Sequence, residues 1–166
     1  MEQLNEINSK ILVVGIGNYL MGDEGAGIHA VQQLSELPVQ DNIVIVDGGT
    51  DGLHLLEYFE KYKTVILVDA ALDGNKPGTI RLIEPESIND FSNEKSIHDI
   101  GLKDIMTAFQ LQGKTPDIYL FVISVDTVQQ QGIELSNEIE AILPELIGQI
   151  VNLVWDLIPE NGAIPV

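Results

Sequence analysis

Cysteine is absent from this chain of 166 residues. That excludes disulfides, thiolate metal sites and a cysteine nucleophile, and it fits a reducing cytoplasm. Basic residues are scarce: 8 Lys and Arg stand against 26 Asp and Glu, a formal charge of −18. Such a field repels phosphate backbones and anionic lipid surfaces, so neither nucleic acid nor membrane is an expected partner. Acidic surfaces also aid solubility and concentrate cations or basic partners. No apolar run is long enough to span a bilayer. Met1–Ser9 is polar and acidic, without the basic-then-apolar order of a signal peptide. Internal repeats and low-complexity segments are missing, and no serine sits in a G-x-S-x-G elbow.

What is present reads as a single α/β domain over residues 1–166, with 1–9 as a flexible polar tail. Apolar residues make up 45% of the chain, enough to bury a core without staples. Lys10–Ile16, Ile43–Asp47, Thr64–Asp69 and Ile118–Val125 are almost continuously apolar, the mark of strands buried on both faces of a parallel sheet. Gly78–Ile83 is a fifth strand. Only Ala70–Pro77 separates it from the one before, too little for a parallel crossover, so it should run antiparallel at or near an edge. Helical spacing joins Ile28, Val31 and Leu34, then Leu53, Leu56 and Phe59, then Leu102, Ile105, Met106 and Phe109. Thr50 or Asp51 could cap the second of these helices, and Ser96-x-x-Asp99 makes a capping box for the third. A last helix runs from a Ser136 cap to about Leu157, with Pro144 expected to kink or break it. Glu84–Lys95 is the longest irregular stretch. The expected fold is a three-layer α/β/α sandwich around a mostly parallel five-stranded sheet with one antiparallel strand.

Chemistry in such a sheet collects beyond the carboxyl ends of the parallel strands. Reading those ends gives Asp23 and Glu24 after the first strand, Asp47 after the second and Asp69 after the third. Asp126 follows the last, and His98 precedes the third helix. Carboxylates crowded on one edge are costly unless a cation or protons compensate them. The Gly15-x-Gly17 turn suggests a dinucleotide fingerprint, with Asp47 as ribose ligand. Its third glycine position, however, holds Leu20, and an acid pair stands where phosphates would approach. Local roles also exist: Glu24 as a first-turn acid on a helix dipole, Asp69 as a strand-end turn acid, Asp23 as a helix cap. His98 at a helix start would be held neutral by the dipole. His29 and His54, inside helices, read as structural or solvent-facing.

Four segments taken together resemble the hydrogenase maturation endopeptidases. They are Gly15-Ile16-Gly17-Asn18-Tyr19-Leu20-Met21-Gly22-Asp23-Glu24-Gly25, Asp47-Gly48-Gly49-Thr50-Asp51-Gly52, Val68-Asp69-Ala70 and Ser96-Ile97-His98-Asp99-Ile100-Gly101-Leu102. The resemblance implies a protease that trims the C-terminal extension from the large-subunit precursor of a nickel–iron hydrogenase once nickel is in place. It implies a site of Glu24, Asp69 and His98, which recognises nickel carried by the substrate and takes part in catalysis. It places the Asp47-Gly48-Gly49-Thr50 turn on the same edge, where it would help bind the precursor. No organic cofactor is implied, and a monomer suits an enzyme that must embrace a large protein. A non-catalytic nickel-dependent docking factor would use the same residues, and a Rossmann-type nucleotide-binding protein is the other alternative.

Overall fold

A computed structural model describes residues 10–38, 42–50, 54–87, 107, 109–126 and 131–158. The strands are β1 (Ile11–Gly15), β2 (Ile43–Asp47), β3 (Thr64–Ala71), β4 (Ile80–Ile83) and β5 (Asp117–Ser124). They form one sheet in the order β2-β1-β3-β5-β4. The first three and β5 run parallel, in a register that sets Gly15 beside Asp47 on one side and Val68 on the other. β4 is antiparallel and lies at an edge, as its short connection requires, but its neighbour is β5 rather than β3.

Alternate side chains divide the sheet into two cores. Ile11, Val13, Ile66, Val68, Phe121 and Ile123 face helix α1 (Ala26–Glu36) and helix α3 (Asn137–Leu157). Ile28, Val31 and Leu34, the stripe read from the sequence, are all buried. Leu12, Val14, Val65, Leu67 and Leu120 face the other way, onto helix α2 (Leu55–Phe59) and Phe109. These helices on opposite faces complete the three layers.

Helix ends follow local chemistry more than periodicity. Ser136 is extended (φ −62°, ψ 156°), and its hydroxyl accepts the Ile139 N–H at 3.4 Å, as an N-cap should. Ser136→Ala is expected to cost about 0.5–1 kcal/mol. A thermal melt would show this as a Tm lower by about 1–4 °C. Pro144 does not break α3, which runs unbroken for 21 residues. Pro144 and Glu140 are both exposed, so the carbonyl left without its helical donor lies on the solvent side. The second helix starts later than its pattern suggests. Gly49 turns left-handed (φ +56°), Thr50 lies in a bend, and α2 begins at Leu55 without a side-chain cap. Residues 109–112 are helical. Leu53, the Ser96–Asp99 box, most of the third apolar stripe and most of the Glu84–Lys95 stretch lie outside the described residues. No helix among the described residues is long and apolar enough to cross a membrane.

Candidate active site

The chain leaves β1 toward β2 on one side and later reaches β3 on the other, so the strand order reverses between β1 and β3. A crevice at that reversal is where open α/β sheets bind ligands. Its walls are the turn after β1, the turn after β2 and the end of β3. Three backbone bonds lock them together: Ile16 N–H to the Val68 carbonyl (2.8 Å), Gly48 N–H to Gly15 (2.8 Å) and Gly17 N–H to Gly49 (2.9 Å).

The glycines serve close packing. A Cβ on Gly17 would stand 2.2 Å from the Glu24 carbonyl oxygen, and one on Gly27 would stand 2.3 Å from that of Val68. The turn after β1 therefore closes on its own backbone, where a dinucleotide fingerprint would hold pyrophosphate. It also presses the start of α1 directly onto the end of β3. Glu24, in the 3₁₀ turn Gly22–Gly25, is thereby brought to the edge where Asp69 stands. Both are buried, at 8% and 1% exposure, and both have partners in the fold. An Asp69 Oδ1 accepts the Ala70 N–H at 2.8 Å. Two buried acids at one strand end are expensive to keep charged without compensation.

The remaining sequence candidates divide. His98 lies outside the described residues. Among the described residues no three His, Asp or Glu side chains gather closely enough to hold a metal ion. Asp47 is exposed, and its Oδ1 accepts the Gly49 N–H at 2.9 Å, shaping its own turn. Gly48 is buried, Gly49 half-buried and Thr50 exposed at the crevice wall. Asp126 is exposed after β5. Asp23 does not cap its own helix: its Oδ1 accepts the Ser136 N–H at 2.7 Å, 113 residues away.

Two features had no signal in the sequence. His29 is half-buried, its ring stacked on Tyr19 at 4.7 Å. Burial pushes its pKa down, opposed by a hydrogen bond to the Ile133 backbone and by the charges of Asp23 and Glu140. The second is a polar cluster at the carboxyl end of β5. Asp73 Oδ2 accepts from Arg81, the chain's single arginine, at 2.7 Å and from the Ser124 hydroxyl at 2.8 Å. Burial alone would raise the Asp73 pKa, but the Asn75 N–H, the Ser124 hydroxyl and the Arg81 guanidinium together hold it below the ordinary 3.8. A depressed folded-state pKa contributes stability above the unfolded value and loses it as pH falls through the folded one. Asp73→Asn is accordingly expected to cost about 1–3 kcal/mol near neutral pH. In urea unfolding curves the gap from wild type should shrink as the pH drops below 3.8.

A hollow of about 520 Å³ opens at the opposite, amino edge of the sheet, between Phe59, Tyr62, Lys63, Phe109 and Lys114. It contains neither buried acid. The crevice is therefore marked by its charged groups rather than by cavity size.

Comparison with known proteins identifies the class. A family model described as hydrogenase maturation protease matches residues 28–153. The chain belongs to this family. Hydrogenase 2 maturation protease of Escherichia coli K12 is 31% identical over 145 residues, covering 86% of this chain and 88% of that protein. The hydrogenase expression/formation protein HupD of Rhizobium leguminosarum is 31% identical over 166 residues, 94% and 82% of the two chains. Among solved structures, the hydrogenase maturating endopeptidase HybD from E. coli superposes with a TM-score of 0.80 at 30% identity, over 89% of this chain and 93% of that one. As a hydrogenase maturation protease the chain is a peptidase, and its α/β sandwich is the fold of these relatives.

Proposed function

We propose that this protease removes the C-terminal extension from the large-subunit precursor of a nickel–iron hydrogenase, after nickel has been inserted, by recognising the nickel that the precursor carries. The observation that supports this most is the pair of buried acids, Glu24 and Asp69, at the sheet's reversal point in a chain without a thiol. Oxygen donors alone hold a borderline divalent ion loosely. Such a site suits an ion that arrives with its own ligands and leaves with the product. His98 would add an imidazole and complete an open set of three donors. The Asp47–Thr50 turn forms the adjacent wall, where the scissile segment would lie along the Gly48–Gly49 backbone. The substrate's nickel, or a carboxylate beside it, then activates a water or polarises the peptide carbonyl. Action in the cytoplasm fits the chain's lack of cysteine, and a monomer suits an enzyme that must embrace a large precursor.

Intact-mass measurement of a cognate precursor tests this. Incubation should shorten the nickel-loaded precursor by one C-terminal piece and leave the nickel-free one whole. A loaded precursor that binds without shortening would make the chain a docking factor instead. Equal cutting of both forms would remove nickel from the account.

A further inference from the structure

Trp155, the chain's single tryptophan, is 52% exposed in the last turn of α3, and Leu37, just past the end of α1, is 45% exposed. Both line a hollow of about 220 Å³, with Leu34 beneath them, Ile43 from the start of β2, and Val151 and Val154 from α3. Its described lining is wholly apolar. Single exposed apolar residues are ordinary surface. A tryptophan beside a preformed apolar hollow is how interfaces are anchored.

The rim of the hollow is negative. α1 and α3 both end here, so the partial negative charge of two helix C-termini falls on one place. Each helix adds an exposed acid where its dipole disfavours one: Glu36 ends α1, and Asp156 follows Trp155 in α3. Neither helix carries a lysine or arginine, and none occurs anywhere in residues 11–60 or 115–166. Lys10, ahead of β1 at the same sheet edge, does not line the hollow. This arrangement costs the helices stability and complements a cation from outside. An ammonium or guanidinium group placed here would meet two carboxylates, two helix ends and the face of an indole.

A second copy of the chain fits poorly, because a two-fold contact would set one acidic rim against the other. A substrate protein fits better. α1 starts beside the turn of Glu24 and ends at the hollow, 11 residues or about 16 Å away, so a large protein seated in the crevice can reach both. We propose that the hollow is a docking site for the body of the precursor, taking an apolar side chain that has a lysine or arginine beside it. This rests on the reading above, in which a hydrogenase precursor is the substrate.

Three variants of the whole protein test it against the cognate nickel-loaded precursor. Trp155→Ala removes the anchor, Trp155→Phe keeps most of it, and Glu36→Lys with Asp156→Lys reverses the rim. Binding is read by interferometry on immobilised protease, and cutting by intact-mass kinetics. Trp155→Ala should raise Kd and KM about tenfold or more and leave kcat unchanged, with Trp155→Phe close to wild type. The charge reversal should weaken binding about tenfold and flatten its salt dependence, while the melting temperature holds or rises because lysine suits a helix C-terminus.

Unchanged Kd in Trp155→Ala and in the charge reversal would overturn the docking site, and so would a loss confined to kcat. Emission of Trp155 in the free protein should stay open to acrylamide quenching. Protection that grows with protein concentration would give the hollow to a second copy, and protection independent of it would give the hollow to the chain's own end; either overturns the proposal. Precursor that binds through Trp155 but is never cut would refute the proposed proteolysis and leave the docking site standing. Normal cutting by all three variants would do the reverse.

Discussion

Asp69→Asn is expected to lower the rate of precursor shortening by a factor on the order of 100–1000 while leaving the protein folded. The two effects have separate causes. Asparagine keeps a side-chain oxygen where Asp69 Oδ1 accepts the Ala70 N–H, so the end of β3 retains its local bond. It removes the negative charge, at a site 1% exposed where that charge is costly to bury, and replaces the second acceptor oxygen with an N–H₂ donor. The melting temperature should therefore hold or rise as activity collapses, the signature of a residue kept for chemistry rather than stability. Rates come from intact-mass time courses and stability from thermal melts of the same preparations. A variant that processes the loaded precursor at the wild-type rate would remove Asp69 from the site.

Gly27→Ala should have the largest effect on stability. Its Cβ would lie 2.3 Å from the Val68 carbonyl oxygen and 2.4 Å from that of Ile16. Both obstacles are backbone atoms of the sheet's centre, and neither can rotate away. The start of α1 would have to lift off β1 and β3, opening the packing of Ala30, Val31 and Leu34 against Val13 and Val68. Overpacking of this kind costs about 3 kcal/mol or more. For a chain of this size that is a Tm lower by about 6–12 °C. The same lift would carry Glu24 away from Asp69, so processing should fall as well. Gly148→Ala is the matching control. It lies inside α3, and its Cβ would meet nothing within 4 Å. Alanine there should stabilise by about 0.4–1 kcal/mol. If the two substitutions changed Tm alike, the close approach of α1 to the sheet would not be what holds this edge.

The parts legible in the sequence were those written in local pattern. Continuous apolar runs gave the parallel strands, buried in β1, β3 and β5 but only half-buried in β2, which lies at the sheet edge, and the eight residues Ala70–Pro77 dictated an antiparallel edge strand. Ser136 before an apolar helix was a cap in pattern and is one in space. Acids at strand ends marked the edge, and Glu24 and Asp69 are both buried. What could not be read were pairings made only by closure of the fold. Asp23 finds its partner 113 residues along the chain. Arg81, on edge strand β4, pairs with Asp73 beside Ser124. His29 occupies a helix position that gave no sign of its stacking on Tyr19. Pro144 leaves α3 unbroken, because the solvent side of a packed helix tolerates the missing bond.

The proposed function requires that Glu24 and Asp69 meet the precursor's nickel. Nickel-edge X-ray absorption on rapidly frozen mixtures of protease and loaded precursor tests this directly. The expected spectrum keeps the sulfur shell of the precursor's own ligands and gains oxygen or nitrogen neighbours on mixing with the wild type, fewer of them with Asp69→Asn. A nickel spectrum identical with and without the protease would contradict it.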